Sequence, residues 1–162
     1  MRIFRDQVES LRYINHLWPV VILRIYTSLF FFKHYNNKMA NSYLTQPKLS
    51  ALIDEHLYAN HPPAWIESFF VNVVQANWSL YAQVVVNIEW CLGILFFIGF
   101  LNRPAAIFSI LFIYMMSFVS GPIAQGQLYP MLAILITLAV FGSGRVGGVD
   151  YFFYKRQRGL IW

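Results

Sequence analysis

Charge is scarce in this sequence. Asp, Glu, Lys and Arg make up 12% of its 162 residues, against about 25% in an ordinary soluble domain. A soluble chain of this length needs a polar face on nearly every element, and long stretches here have none. Cysteine is scarcer still: Cys91 stands alone in an apolar run. That excludes an intrachain disulfide, a redox CxxC pair and a multi-cysteine metal site. Histidine is too sparse for haem. His16 and His34 lie eighteen residues apart, about 27 Å along a helix, and no other apolar segment holds a histidine. His56 and His61 have only Asp54 and Glu55 nearby, so no metal site is expected. No Ser-His-Asp arrangement is suggested. The glycines of GSGRVGG lack the GKS/T or strand context of a nucleotide site. The start, MRIFRDQVESLRYINHLW, is charged and amphipathic, without a small-residue cleavage site after a short apolar core. A cleavable signal peptide is therefore not expected.

Hydrophobic residues make up 58% of the chain, and the aromatics among them 19% of it. An aromatic excess suits rings placed at both interfaces of a bilayer. A formal charge of +5 would suggest nucleic acid in a soluble protein. In a membrane protein it reflects the basic bias of cytoplasmic segments, so the lipid bilayer is the expected partner and nucleic acid is not.

A helix needs about 20 apolar residues to cross roughly 30 Å of hydrocarbon. Four segments approach that length: 17–35, 80–101, 104–119 and 127–146. Asn102-Arg103-Pro104 joins the second to the third, and the uncharged SGPIAQG joins the third to the fourth. Between the first and second lies a patterned stretch, 47–77. Leu49, Leu52, Ile53, His56 and Leu57 recur at helical spacing, as do Ile66, Phe69, Phe70, Val73 and Val74, with His61-Pro62-Pro63 dividing them. These predict two amphipathic helices that lie on the membrane surface or pack as a cap on the bundle. The fold expected is all-α: a single membrane domain over 1–162, a four-transmembrane-helix bundle with two amphipathic surface helices between helices 1 and 2.

Basic residues set the expected orientation. Arg2, Arg5, Arg12, Arg103, Arg145, Lys155, Arg156 and Arg158 fall on one side, and Lys33, Lys38 and Lys48 on the other. The positive-inside rule then places both termini in the cytoplasm of a multi-pass protein of the cytoplasmic (inner) membrane.

Two charges fall inside the expected spans, Arg24 and Glu89. A charge at mid-bilayer costs at least about 2.5–3.5 kcal/mol, so it faces a partner or a watery cavity. Counted from the cytoplasmic ends the two lie about 10 Å and 18 Å deep, a gap their extended side chains can bridge. Such a pair would either fix helix register or build a polar site for a ligand headgroup or protons. Arg24, Thr27, Ser28, Phe31, Tyr35 and Lys38 share one helical face, and the second span offers Gln83, Asn87 and Trp90 beside Glu89. A few polar groups among aromatics suit a quinone-type headgroup, and they suit interhelical hydrogen bonding equally.

The order of motifs resembles the DoxX/DoxD family of small four-helix membrane proteins. The first span carries LRIYTSLFFFKHYNNK. The second continues from Glu89 through Gly93, Gly99 and Arg103 to Ala105-Ala106, and the fourth ends GSGRVGGVD, from Gly142 to Asp150. Tyr35 stands where the family usually has glycine, and Gly148-Val149 where it has serine-leucine. The resemblance implies a membrane subunit of a quinone-linked redox complex, of the thiosulfate:quinone oxidoreductase type, with other membrane subunits as partners. Arg24, Ser28, Tyr35, Lys38 and Glu89 are then the candidates for holding a quinone. The alternative is a non-catalytic structural or assembly subunit of a larger membrane complex. A transporter is third, since no inverted repeat is detectable.

Arg103, Arg145 and Asp150 form a candidate structural motif. Glycines near Arg145 let the chain leave the fourth span. Asp150 is expected to bond Arg103, Arg145 or free backbone N–H groups, with Tyr151 to Tyr154 at headgroup level and Lys155, Arg156 and Arg158 on anionic lipid.

Overall fold

The computed structural model describes residues 18–141, 144 and 148–150. Among them every regular element is helical: α1 (Trp18–Ala40), α2 (Lys48–His56), a 3-10 turn (Tyr58–Asn60), α3 (Ala64–Phe69) running on as π-helix through Gln75, α4 (Trp78–Ile98), α5 (Asn102–Ser117) and α6 (Pro122–Phe141). Prolines mark the starts. Pro104 and Pro122 each fall in a first turn, where a missing N–H costs nothing. α4 stops at Gly99, whose φ of 70° lies in the left-handed region. There the Gly99 and Phe100 N–H groups both close on the Leu95 carbonyl, a glycine-based helix stop.

α1 and α4 pack closely because their inward faces match. Arg24, Thr27, Ser28 and Phe31 are buried on α1; Ala82, Val85, Val86, Glu89, Leu92, Gly93 and Phe96 on α4. Gly93 permits the approach, since a Cβ there would sit 2.9 Å from the Phe32 ring. Ser28 donates to the Gly93 carbonyl at 2.8 Å, and the Phe31 and Phe96 rings stack at 5.9 Å. α6 packs on α5 and on α1, with Leu128, Met131, Leu135 and Leu138 buried at helical spacing in the shared core.

The exterior is as apolar as the core. Ile22, Phe97, Leu111, Ile123 and Val140 are each more than 60% exposed, on four different helices. A soluble bundle would carry polar residues there. α4 and α6 are long and apolar enough to cross a membrane.

The stretch between α1 and α4 forms a cap, the second of the two arrangements its pattern allowed. Leu49, Ile53, Leu57, Ile66, Phe70 and Val74 turn onto Ala82, Val86 and Val119. Of the residues expected on the second inward face, Phe69 and Val73 point outward instead. Asn60 fastens the cap by donating to the carbonyls of Phe118 and Ser120 at 2.8 and 3.2 Å.

Element bounds differ from expectation in two places. α1 continues to Ala40, so Lys38 lies on the helix. The SGPIAQG connection is mostly helical, because Pro122 opens α6 five residues before 127. That places Gly126 inside the helix and leaves a loop only around Gly121. α6 is described as far as Phe141, and the expected end at 146 lies outside the described residues.

Candidate functional site

Side chains in an α-helix tilt toward its N-terminus. On α1, Lys38 therefore leans back from the cap into the bundle. On antiparallel α4, Glu89 leans toward the cap. The two meet as an ion pair, with the Lys38 ammonium also 5.5 Å from the centre of the Tyr43 ring. The same tilt corrects the expected Arg24–Glu89 pair. Arg24 leans away from the cap toward the other end of the bundle, so Arg24 and Glu89 diverge although their depths suggested reach. Measuring depth at Cα had ignored side-chain direction.

The pair lines a cavity of about 130 Å³ under the cap. Phe30, Phe31, His34 and Phe112 supply aromatic walls; Leu49 and Leu52 of α2 roof it, and Tyr43 adds a phenol. An apolar cavity of about 150 Å³ holds benzene, so this one is sized for a single ring. Lys38 binds one carboxylate oxygen of Glu89; the other, Oε2, is buried and has no hydrogen-bond partner among the described residues. A buried polar atom left so is costly unless something partners it. Burial pushes the Tyr43 phenol above its ordinary pKa, and the Glu89 carboxylate pushes the same way, so the phenol keeps its proton as a donor.

The other sequence candidates fall elsewhere. Ser28 is committed to the Gly93 carbonyl. Tyr35 is partly buried against the cap cluster rather than in the cavity. Gln83, Asn87 and Trp90 are exposed on the outward side of α4, one residue off the buried face of Ala82, Val86 and Glu89. They contribute nothing to the inner polar site expected of them.

At the opposite end Asp150 organises a second cluster. Its carboxylate accepts from Leu101 N at 2.7 Å and Asn102 N at 2.9 Å, the amides of the residue before α5 and of its first residue. Asp150 N and Val149 N donate to the carbonyls of Gly99 and Ile98 at 3.1 and 3.3 Å. An acid at a helix N-terminus also meets the positive end of its dipole. Leu101 is held here at φ 50°, a conformation strained for leucine. The Arg24 guanidinium lies against Gly99 and Gly148, where a Cβ would come within 2.5 and 2.8 Å of its Nη1, and it interacts electrostatically with Asp150. Arg103 donates to the Val140 carbonyl at 3.3 Å, joining α5 to the end of α6. Arg145 and the aromatic and basic tail lie outside the described residues.

Sequence reasoning missed His34 and Tyr43 in the cavity. His34 had a signal: it lies four residues before Lys38 and three after Phe31, at the edge of the same face. Tyr43 had none, because a turn after α1 folds it back under the cap. No group of three His, Cys, Asp or Glu that could hold a metal ion occurs among the described residues.

The family model DoxX matches residues 20–122, from α1 to the first residue of α6. No curated protein and no solved structure matches the chain.

Proposed function

The chain belongs to the DoxX family of membrane proteins, and from that premise we propose that it is the quinone-binding membrane subunit of a redox complex, of the thiosulfate:quinone oxidoreductase type. The observation that carries this reading is the one-ring cavity in which aromatic walls surround the Lys38–Glu89 pair and its unpartnered oxygen. A quinone supplies, when bound, a two-electron acceptor in the membrane. Lys38 and Tyr43 are the donors for its carbonyl oxygens, and Glu89 Oε2 can hold a proton at the ring. The electrons come from a partner subunit.

In this reading α1, α4, α5 and α6 all span the bilayer, with the cap outside and both termini in the cytoplasm, as the basic residues direct. α5 has 16 residues, about 24 Å. Local thinning of the bilayer or flanking protein accommodates that deficit.

A second reading has its own support. Gln83 and Asn87, four residues apart, face outward from α4, and amides turned to lipid favour a hydrogen-bonding partner helix. A structural or assembly subunit needs such a face, and a quinone subunit in a complex does too.

The test is equilibrium binding of a tail-less benzoquinone to the purified protein in lipid nanodiscs. The wild type should bind saturably. The Lys38→Met/Glu89→Gln double variant, which removes both charges together, should bind about tenfold or more weakly, the loss of at least one hydrogen bond to a charged group. Equal binding by both proteins would sink the assignment.

A further inference from the structure

A second concavity, of about 480 Å³, lies on the outer surface between α1 and α6, lined by Tyr26, Leu29, Phe30, Lys33, His34, Gly126, Gln127 and Pro130. Phe30 and His34 line both this groove and the Lys38–Glu89 cavity. Their rings touch, with centroids 4.4 Å apart, so one pair of side chains forms the wall between the two spaces. Six of the eight lining residues are exposed, and Tyr26, Leu29, Gly126 and Pro130 are among them. In the four-span arrangement they meet lipid rather than water.

Two local features keep the groove open. Gly126 has no side chain, and a Cβ built there would meet nothing within 4 Å. Pro130 carries no amide hydrogen and cannot bond the carbonyl of Gly126, which leaves this turn of α6 looser than its neighbours.

We propose that the α1–α6 groove is the track for the hydrocarbon tail of the cavity's ligand, and that the ligand enters from the bilayer when the touching side chains of Phe30 and His34 swing apart. This rests on the quinone reading of the cavity. The occupant is a single lipid-like chain, because the groove continues a one-ring cavity and is apolar along Leu29, Phe30 and Pro130. Lys33 and Gln127 are its polar rim. The cavity alone is too small for ring and tail together, so a tailed quinone needs an exit for its chain, and this wall is where the two spaces adjoin.

Gly126→Phe fills the groove from a position where an added Cβ meets no neighbour, so the fold should survive; an unchanged melting temperature checks that. Equilibrium binding in nanodiscs is then compared for a decyl-tailed benzoquinone and the same ring without its tail. Forcing the tail against a filled groove should weaken the tailed ligand by about tenfold or more, with the ring-only ligand unchanged. As a second readout, a photoreactive decyl tail should label α1 and α6 in the wild type and lose that labelling in Gly126→Phe. If the ring binds the wild type but the tailed ligand is indifferent to Gly126→Phe, the track is wrong and the cavity reading stands. If neither ligand binds the wild type, the cavity reading falls, and the track falls with it.

Discussion

Lys38 and Glu89 offer the sharpest perturbation because their exposures differ. The Glu89 side chain is 5% exposed and that of Lys38 20%. Removing one partner of a buried pair leaves an uncompensated charge, at roughly 3–5 kcal/mol. Lys38→Met strands the deeper carboxylate, which must take up a proton or remain a charge in an apolar site, so the full range applies. Glu89→Gln strands an ammonium two residues from the end of α1, where its long side chain can turn toward water; that loss should fall below about 3 kcal/mol. For a chain of this size each kcal/mol lowers the melting temperature by about 2–4 °C. Lys38→Met should therefore melt at least about 6 °C below the wild type in mild detergent, and Glu89→Gln by less. The double variant should recover part of the Lys38→Met loss, because neither charge remains. Strictly additive losses, or a larger effect from Glu89→Gln than from Lys38→Met, would refute the reasoning.

Gly99→Ala should destabilise by about 1–2 kcal/mol from the left-handed φ alone. It should cost more if Arg24 cannot withdraw from the new methyl group, and thermal melting of the purified variant measures both. Asp150→Asn keeps one acceptor oxygen but removes the charge and one of the two amide bonds at the α5 N-terminus, and should cost about 0.5–2 kcal/mol; an unchanged melting temperature would show that the charge and that bond hold nothing. Gln46→Cys, in an exposed turn before the cap, should react with a membrane-impermeant thiol reagent on intact cells in a Cys91→Ala background. Labelling only after lysis would reverse the topology.

The helical scaffold was readable because its signals repeat. Four apolar stretches, and the Asn102-Arg103-Pro104 break between two of them, each have one physical meaning. The inward face of α1 followed from spacing alone, as Arg24, Thr27, Ser28 and Phe31 show. The site was harder, for reasons of direction and distance. Placing Arg24 opposite Glu89 used Cα depth and ignored the tilt that sends Lys38 to that carboxylate instead. Gln83 and Asn87 read as inner polar groups because their type was weighed before their register, which lies one residue off the buried face. Tyr43, Leu49, Phe112 and Met116 converge from a turn and two helices, and local periodicity carries no trace of that convergence. The role of Asp150 was half legible. An acid after a glycine-rich helix end asks for amide donors, but that those amides belong to Leu101 and Asn102 is a tertiary fact.

The central claim is most directly tested by purifying the chain from its native membrane in mild detergent and extracting the bound small molecules. A quinone-binding subunit should carry quinone at close to one molecule per chain, above the level in co-purified lipid. The Lys38→Met/Glu89→Gln variant, purified the same way, should lose most of that excess. Quinone at the lipid background in the wild type, or an equal excess in the variant, would contradict the account.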